Sequence, residues 1–147
     1  MEYVLQTQSL TKIYSHAKVV DAVSMHVQKG SIYGFIGKNG AGKTTFMRMA
    51  AGLAAPDAGS MTLFGSSDLE KQRIRIGTLI EHPGFYPGMT AYDNLETIRI
   101  SLGIPNRNRI KELLELTGLA DTAKKKAKHF SMGMKQRLGI AISLLRN

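Results

Sequence analysis

A glycine-rich segment at residues 37–44 has the residue types and the spacing of a loop that binds phosphate groups. It reads Gly-Lys-Asn-Gly-Ala-Gly-Lys-Thr and matches the pattern G-x-x-x-x-G-K-[ST] at every fixed position. Glycines permit positive φ angles and let main-chain N–H groups converge on a phosphate oxygen. Lys43 offers a mobile cation to the β- and γ-phosphates, and Thr44 offers a hydroxyl to Mg²⁺. The segment therefore predicts a site for a nucleoside triphosphate with Mg²⁺.

The loop motif alone does not identify the class of protein, because kinases, motors, GTPases and transporters share it. Guanine-specific proteins normally carry an Asn-Lys-x-Asp string, and this sequence contains none. The expected nucleotide is therefore ATP. A glycine-rich hairpin with an incidental lysine is the structural alternative.

The elements that must position the loop can be predicted from the sequence on either side of it. Residues 31–36 form a short apolar run that predicts a strand covered on both faces in a parallel sheet. A helix is predicted from Lys43 to a stop at Gly52. Strand, turn and helix make half of a βαβ unit, so the predicted fold class is α/β. Further strands are predicted at residues 3–13, 19–27, 60–64 and 74–80.

The C-terminal part of the sequence is predicted to be helical. Thr90 can cap a helix that runs to about Leu102. Apolar residues at 110–114 indicate one face of a second helix, which ends at residues 117–118. A third helix begins at Ser131.

Length and composition indicate one domain with a buried core. The chain has 147 residues, of which 43% are apolar and 21% charged, and no cysteine for disulfides or thiolate metal sites. No run approaches the ~18 apolar residues of a membrane span, and the start does not resemble a signal peptide. The expected location is the cytosol. Nearly all of the net charge of +9 lies in residues 99–147. The densest group of lysines in this part is interpreted as a solvent-exposed face: Lys124, Lys125, Lys126 and Lys128.

Three further segments, in this order, make the chain resemble the ATP-binding subunit of an ATP-binding-cassette (ABC) transporter. The first is Leu-Thr-Lys-Ile-Tyr at residues 10–14, where that family places an aromatic ring on the adenine. The resemblance implies that Tyr14 stacks on the base, although an ordinary strand tyrosine would give the same pattern. Residues 39–45 also resemble the family's version of the loop. The implied nucleotide contacts are Gly37, Lys38, Asn39, Gly40, Ala41, Gly42, Lys43, Thr44 and Thr45.

The second segment, residues 76–90, resembles the loop that joins the catalytic core to the helical subdomain in this family. Family members generally have glutamine where this chain has Glu81. The resemblance implies that Glu81 contacts Mg²⁺ or the attacking water, with Lys43 as the other catalytic residue. An exposed glutamate at the end of a strand is the alternative.

The third segment, residues 130–137, resembles a degenerate form of the family signature Leu-Ser-Gly-Gly-Gln. Ser131 and Gly133 are kept, whereas Met132 and Met134 replace Gly and Gln. The resemblance implies that Ser131 and Gly133 contact the γ-phosphate bound by an opposite subunit, at a helix N-terminus. A plain serine N-cap, with methionines that fill the core, is the alternative.

The resemblance implies a P-loop NTPase fold of the ABC nucleotide-binding type, in the branch that exports bacitracin-like or lantibiotic peptides and drugs. Its implied divisions are β-strands and loop core at residues 1–89, a helical subdomain at 90–130 and a signature helix at 131–147. The domain is expected to be incomplete, ending before the Walker B strand. The expected partners are a second ATP-binding subunit, head to tail, and permease subunits that hold the protein at the inner face of the cell membrane.

The absence of candidates for the Walker B carboxylates predicts that this polypeptide binds ATP weakly and hydrolyses it negligibly. None of the four histidines has metal-ligand spacing, so they are interpreted as surface or packing residues: His16, His26, His82 and His129. Two other functions remain open. One is a cytosolic ATPase of the same fold that acts on nucleic acid, although no nucleic-acid partner is expected. The other is a non-catalytic nucleotide-binding fragment.

Overall fold

The computed structural model of the protein describes residues 2–146. The chain divides into two compact units, Met1–Arg75 and Ile76–Asn147, and each is described by itself. In the part of the chain that is described, every helix is too short or too polar to cross a membrane. The division predicted at residues 89 and 130 stays a prediction.

The first unit is built on a three-stranded antiparallel sheet with strand order β2-β1-β3. Two helices accompany the sheet, and the sequence predicted the first of them, including its stop at Gly52. The elements of this unit are β1 (Tyr3–Tyr14), β2 (Ala17–Gln28), α1 (Lys43–Ala51), β3 (Ala58–Leu63) and α2 (Leu69–Arg73).

A tight hairpin joins the first two strands. Tyr14 at the end of β1 pairs with Ala17 at the start of β2, so only Ser15 and His16 form the turn. Both turn residues have positive φ, 47° and 68°, as hairpin turns that match the right-handed strand twist require. The hairpin therefore brings the residues after Ala17 back alongside Tyr14.

The core of the first unit lies between the sheet and α1. Phe46 and Met49 are the buried side chains of α1. They pack with apolar side chains of the strands in one cluster: Leu10, Val20, Met25, Phe46, Met49 and Met61. Arg73 donates to the carbonyl oxygens of Ala50 at 3.1 Å and Met49 at 3.0 Å, and so satisfies the C-terminus of α1.

The second unit is helical, with α3 (Ala91–Ser101), α4 (Asn108–Leu116) and α5 (Met132–Ser143). The caps predicted from the sequence are present. The Thr90 hydroxyl accepts from the N–H of Asp93 at 3.0 Å, and the Ser131 hydroxyl accepts from the N–H of Met134 at 3.3 Å.

Eleven residues from the three helices and their connections form the core of the second unit: Ala91, Leu95, Ile110, Leu113, Leu114, Leu119, Ala127, Phe130, Leu138, Ala141 and Leu145. The apolar stripe predicted at 110–114 is part of this core. The lysines at 124, 125, 126 and 128 are exposed, in agreement with their interpretation as a solvated face.

Two of the predicted strands were wrong. Residues 31–36 and 74–80 have no strand structure, and the sheet of the described residues contains only antiparallel pairs. A parallel strand is stabilised by neighbours on both sides, and within residues 2–146 neither segment pairs with another strand. Ile32 and Ile36 consequently stay fully exposed, whereas Phe35 contacts the ring of Phe46 with centroids 5.2 Å apart.

We expect Leu113→Ala to destabilise the protein by about 2–5 kcal/mol, because Leu113 is fully buried and its truncation leaves a cavity. Leu116 on the same helix is 70% exposed, and Leu116→Ala should change stability by less than about 0.5 kcal/mol. Urea unfolding followed by circular dichroism measures both values. Equal losses in the two variants would contradict the assignment of this core.

Glu96 makes the stability of the helical unit depend on pH. Its carboxylate accepts from Arg99 Nε at 2.7 Å and lies 3.3 Å from Arg107 Nε. The hydrogen bond from Arg99, aided by the charge of Arg107, lowers the pKa of Glu96. A lowered pKa means that the folded state favours the ionised form, so this stabilisation exists at neutral pH and disappears as the pH falls through the lowered pKa.

We therefore expect Glu96→Gln to lower the urea midpoint at neutral pH and to have no effect at a pH below that pKa. Glu115→Gln is the matched control, because Glu115 is 59% exposed and 4.0 Å from its Lys111 partner. Unfolding curves over a pH series give both differences. A loss in Glu96→Gln that stays constant into acid would show that packing, and not the charge, is responsible.

Candidate nucleotide-binding site

The glycine-rich loop ends at the N-terminus of α1, as the sequence predicts. Gly42 is the N-cap of this helix, with φ of 82°, and provides no side-chain cap. The N–H groups of the first helical turn have no acceptor within a helix, so Lys43, Thr44 and Thr45 present their donors at this end. Together with the helix dipole they favour an anion at this point.

Gly42 is required by packing as well as by its backbone angle. A Cβ atom at residue 42 would lie 2.0 Å from the carbonyl oxygen of Val19 in β2. No side chain fits in this space, so the loop is seated directly on the main chain of the sheet. Gly40 also has φ of 82° but has open space around it, and its requirement is conformational alone.

The side chain of Lys43 folds back over the loop that precedes it. Its ammonium group donates to the carbonyl oxygens of Gly37 at 2.6 Å and Lys38 at 2.7 Å. The cation is thereby held against the loop that leads into α1. A phosphate chain at this position would meet both a mobile positive charge and main-chain donors.

A cavity of about 270 Å³ lies at the loop and is lined by six of the nine residues at 37–45 that the sequence assigns to the nucleotide. Its lining residues are Val19, Asn39, Gly40, Gly42, Lys43, Thr44 and Thr45. The hydroxyl of Thr44 belongs to this lining and can serve as one oxygen ligand to Mg²⁺. Nowhere in residues 2–146 do three or more His, Cys, Asp or Glu side chains form a metal-binding group. The Thr44 hydroxyl, beside the main-chain donors of the loop, fits a metal that is also held by the oxygens of a bound phosphate.

In the first unit, the hairpin that carries Tyr14 lies beside the glycine-rich loop. Lys18 and Val19, just past the turn, line a second cavity of about 450 Å³ together with Gly40 and Gly42 of the loop. Tyr14 is 48% exposed. The ammonium group of Lys12 lies 5.2 Å from the centroid of its ring.

The sequence did not predict a partner for Lys12. Its ammonium group donates to Asp57 at 3.1 Å, across from β1 to the residue before β3. The sequence Pro56-Asp57-Ala58-Gly59 predicts a turn, but it does not indicate that Asp57 contacts a distant strand.

Glu81 lies in the second unit, in the connection that precedes α3. It is exposed, and its backbone adopts φ of 63°, a left-handed conformation that non-glycine residues seldom take. The prediction of a strand ending at this residue was wrong, but the segment packs closely against α5. A Cβ at Gly139 of α5 would lie 2.4 Å from Pro83, and one at Gly77 would lie 1.8 Å from the carbonyl oxygen of Ser143.

These two glycines were not predicted to have a role. They let the connection lie directly on α5, so the segment that presents Glu81 is fixed to the helix that begins at Ser131. No pattern in the sequence distinguishes such a close approach from an ordinary glycine in a loop or helix.

Ser131 is the N-cap of α5 and is exposed. The serine cap that the sequence offers as the alternative to a phosphate contact is therefore present. Gly133 has open space around it. The two methionines of the segment differ: Met132 is 71% exposed, whereas Met134 packs against the core. Arg137 donates to the carbonyl oxygen of Gly118 at 3.1 Å and so satisfies the C-terminus of α4.

Comparison with known proteins identifies the family. The model of the family described as ABC transporter matches residues 20–147. The bacitracin transport ATP-binding protein BcrA of Bacillus licheniformis is 45% identical over 148 residues, which cover 99% of this chain and 48% of BcrA. The lantibiotic transport ATP-binding protein SrtF of Streptococcus pyogenes is 40% identical over 144 residues, covering 98% of this chain and 62% of SrtF.

Solved structures share the fold. The ATP-binding subunit of an ABC transporter superposes with a TM-score of 0.82 at 27% identity, covering 97% of this chain and 62% of that one. CbiO1 from Clostridium perfringens, part of an ABC transporter complex, gives 0.84 at 23% identity and supports the fold alone.

The chain spans about half the length of the bacitracin relative. The predicted fold class, α/β of the ABC nucleotide-binding type, is confirmed, as is the resemblance to bacitracin and lantibiotic transport proteins. With its phosphate-binding loop set at the start of α1 and a family match from residue 20 to residue 147, the chain belongs to the ABC transporter family of ATP-binding proteins.

Proposed function

We propose that this protein binds ATP and Mg²⁺ as the energy-coupling ATPase subunit of an ABC transporter that exports peptide antibiotics or related drugs. The observation that carries the proposal is the loop seated on β2 at Gly42 and leading directly into α1, with the Lys43 ammonium group held by carbonyl oxygens of that loop. The names of the bacitracin and lantibiotic relatives support the class of cargo. Permease subunits would hold the protein at the inner face of the membrane.

Each assigned residue has a distinct task in the proposed site. Main-chain N–H groups of residues 37–45 and the ammonium group of Lys43 would hold the β- and γ-phosphates. The Thr44 hydroxyl would coordinate Mg²⁺, which offsets phosphate charge, and Tyr14 would stack on adenine. Glu81 would contact the metal or the attacking water.

The proposed assembly pairs two copies head to tail. The exposed N-terminus of α5, with Ser131 as its cap and no side chain at Gly133, would face the γ-phosphate of the opposite subunit. The exposure of Ser131 and the open space at Gly133 support this role, since both leave room for an approaching phosphate. ATP would then join the two subunits, and their closure would drive the permease between two states.

We expect Lys43→Ala to weaken binding of Mg-ATP about 10- to 100-fold, because a charge-assisted hydrogen bond contributes about 1.5–3 kcal/mol. Lys71→Ala is the matched control, since Lys71 is 81% exposed and pairs with Asp68 in the same unit. Isothermal titration calorimetry on the 147-residue chain measures both affinities. Unchanged affinity in Lys43→Ala would refute the assigned nucleotide site.

We also propose that the 147-residue chain by itself hydrolyses ATP negligibly. We assign a contact with the metal or the attacking water to one carboxylate in residues 2–146, that of Glu81, and a single carboxylate is not expected both to position Mg²⁺ and to activate water. Phosphate release by the wild-type chain should match that of Lys43→Ala at saturating Mg-ATP. Activity that persists through repeated purification and disappears in Lys43→Ala would disprove this proposal.

A further inference from the structure

Asp57, the residue before β3, contacts three consecutive residues near the end of β1. The N–H of Asp57 donates to the carbonyl oxygen of Thr11 at 2.9 Å. Its carboxylate accepts from the N–H of Ile13 at 2.6 Å and from the ammonium group of Lys12 at 3.1 Å. Asp57 is therefore a clamp on the backbone and on one side chain immediately before Tyr14.

The clamp reaches the ring of Tyr14 through Lys12. The side chain of Lys12 is only 13% exposed, and its ammonium group lies 3.1 Å from the Asp57 carboxylate and 5.2 Å from the centroid of the Tyr14 ring. A cation at this distance interacts favourably with the ring. Because Tyr14 remains 48% exposed, a large part of its surface is available to another planar group.

Asp57 stays charged across the neutral range. Its pKa is lowered mainly by the hydrogen bond from the N–H of Ile13 and further by that from Lys12. The ionised carboxylate can thus hold Lys12 in place under all ordinary conditions of nucleotide binding.

The backbone of Tyr14 is restrained on its other side as well. It pairs with Ala17 across the tight turn, and Val19, two residues further on, has its carbonyl oxygen against Gly42. The clamp therefore acts on a hairpin that is itself seated on the phosphate loop. A ring fixed in this hairpin has a set position relative to the loop.

We propose that Asp57 is a positioning residue for the nucleotide base: through Lys12 it holds the Tyr14 ring in the orientation that stacks on adenine. This inference rests on the proposed function, in which Tyr14 contacts adenine. Fixing the ring before the ligand arrives removes an ordering cost that binding would otherwise include. In this proposal Asp57 acts only through Lys12 and Tyr14, so its effect on binding is confined to the base.

The test compares two ligands, Mg-ATP and inorganic triphosphate with Mg²⁺, by calorimetry on the 147-residue chain. Asp57→Asn should weaken ATP binding about three- to tenfold and leave triphosphate binding unchanged, because only ATP has a base to stack. Lys12→Gln, which keeps the bond between Asp57 and Ile13, should have the same pattern. Asp68→Asn, an exposed carboxylate that caps α2, is the matched control.

A double-mutant cycle separates positioning from a general effect on structure. In a Tyr14→Ala background, Asp57→Asn should have no further effect on ATP affinity, because the ring through which it acts is absent. Equal weakening of ATP and triphosphate, or an undiminished effect of Asp57→Asn without the ring, would overturn the inference.

The cycle also separates failure of this inference from failure of the proposed function. If Tyr14→Ala binds ATP as tightly as the wild type, the assignment of Tyr14 to adenine is wrong, and the inference fails with it. If Tyr14→Ala weakens ATP binding while Asp57→Asn and Lys12→Gln do not, Tyr14 keeps its role and the positioning by Asp57 is refuted.

Discussion

The carbonyl oxygen of Val19 leaves no space for a side chain at residue 42, and this contact determines where the phosphate loop can lie. The loop turns into α1 at Gly42 while touching the main chain of β2, so the helix N-terminus has a fixed place on the sheet. Phe46 and Met49 then hold α1 against that sheet. The main-chain donors and the threonine hydroxyl at the start of α1 are placed by this contact together with the packing of α1, whereas the Lys43 ammonium group is held by its bonds to Gly37 and Lys38.

Of the five α-helices in residues 2–146, all but α2 could be predicted from the sequence because their signals are local, although α5 ends at Ser143 and was predicted to run to residue 147. Thr90 and Ser131 cap helices through bonds to the N–H three residues ahead, and Gly52 ends α1 in a left-handed conformation. Strands at 31–36 and 74–80 could not be predicted correctly on the same basis. An apolar run favours an extended chain, but only pairing with another segment makes it a strand.

The candidate site was predictable to different degrees for a similar reason. The loop motif combines all its chemistry in eight consecutive residues, and five of these eight line one cavity in the structure. The contacts of Asp57 join residues more than forty positions apart, and the close approach of Gly139 to Pro83 joins a helix to a distant connection. Such contacts depend on the tertiary arrangement, and no spacing in the sequence encodes them.

Ile32 and Ile36 give the chain an unshielded apolar ribbon directly before the phosphate loop. The main chain between them belongs to no ladder in residues 2–146, and the run is held from the side by the contact of Phe35 with Phe46. Because apolar side chains stabilise a fold only through the surface that they bury, the two isoleucines contribute little to the stability of the first unit.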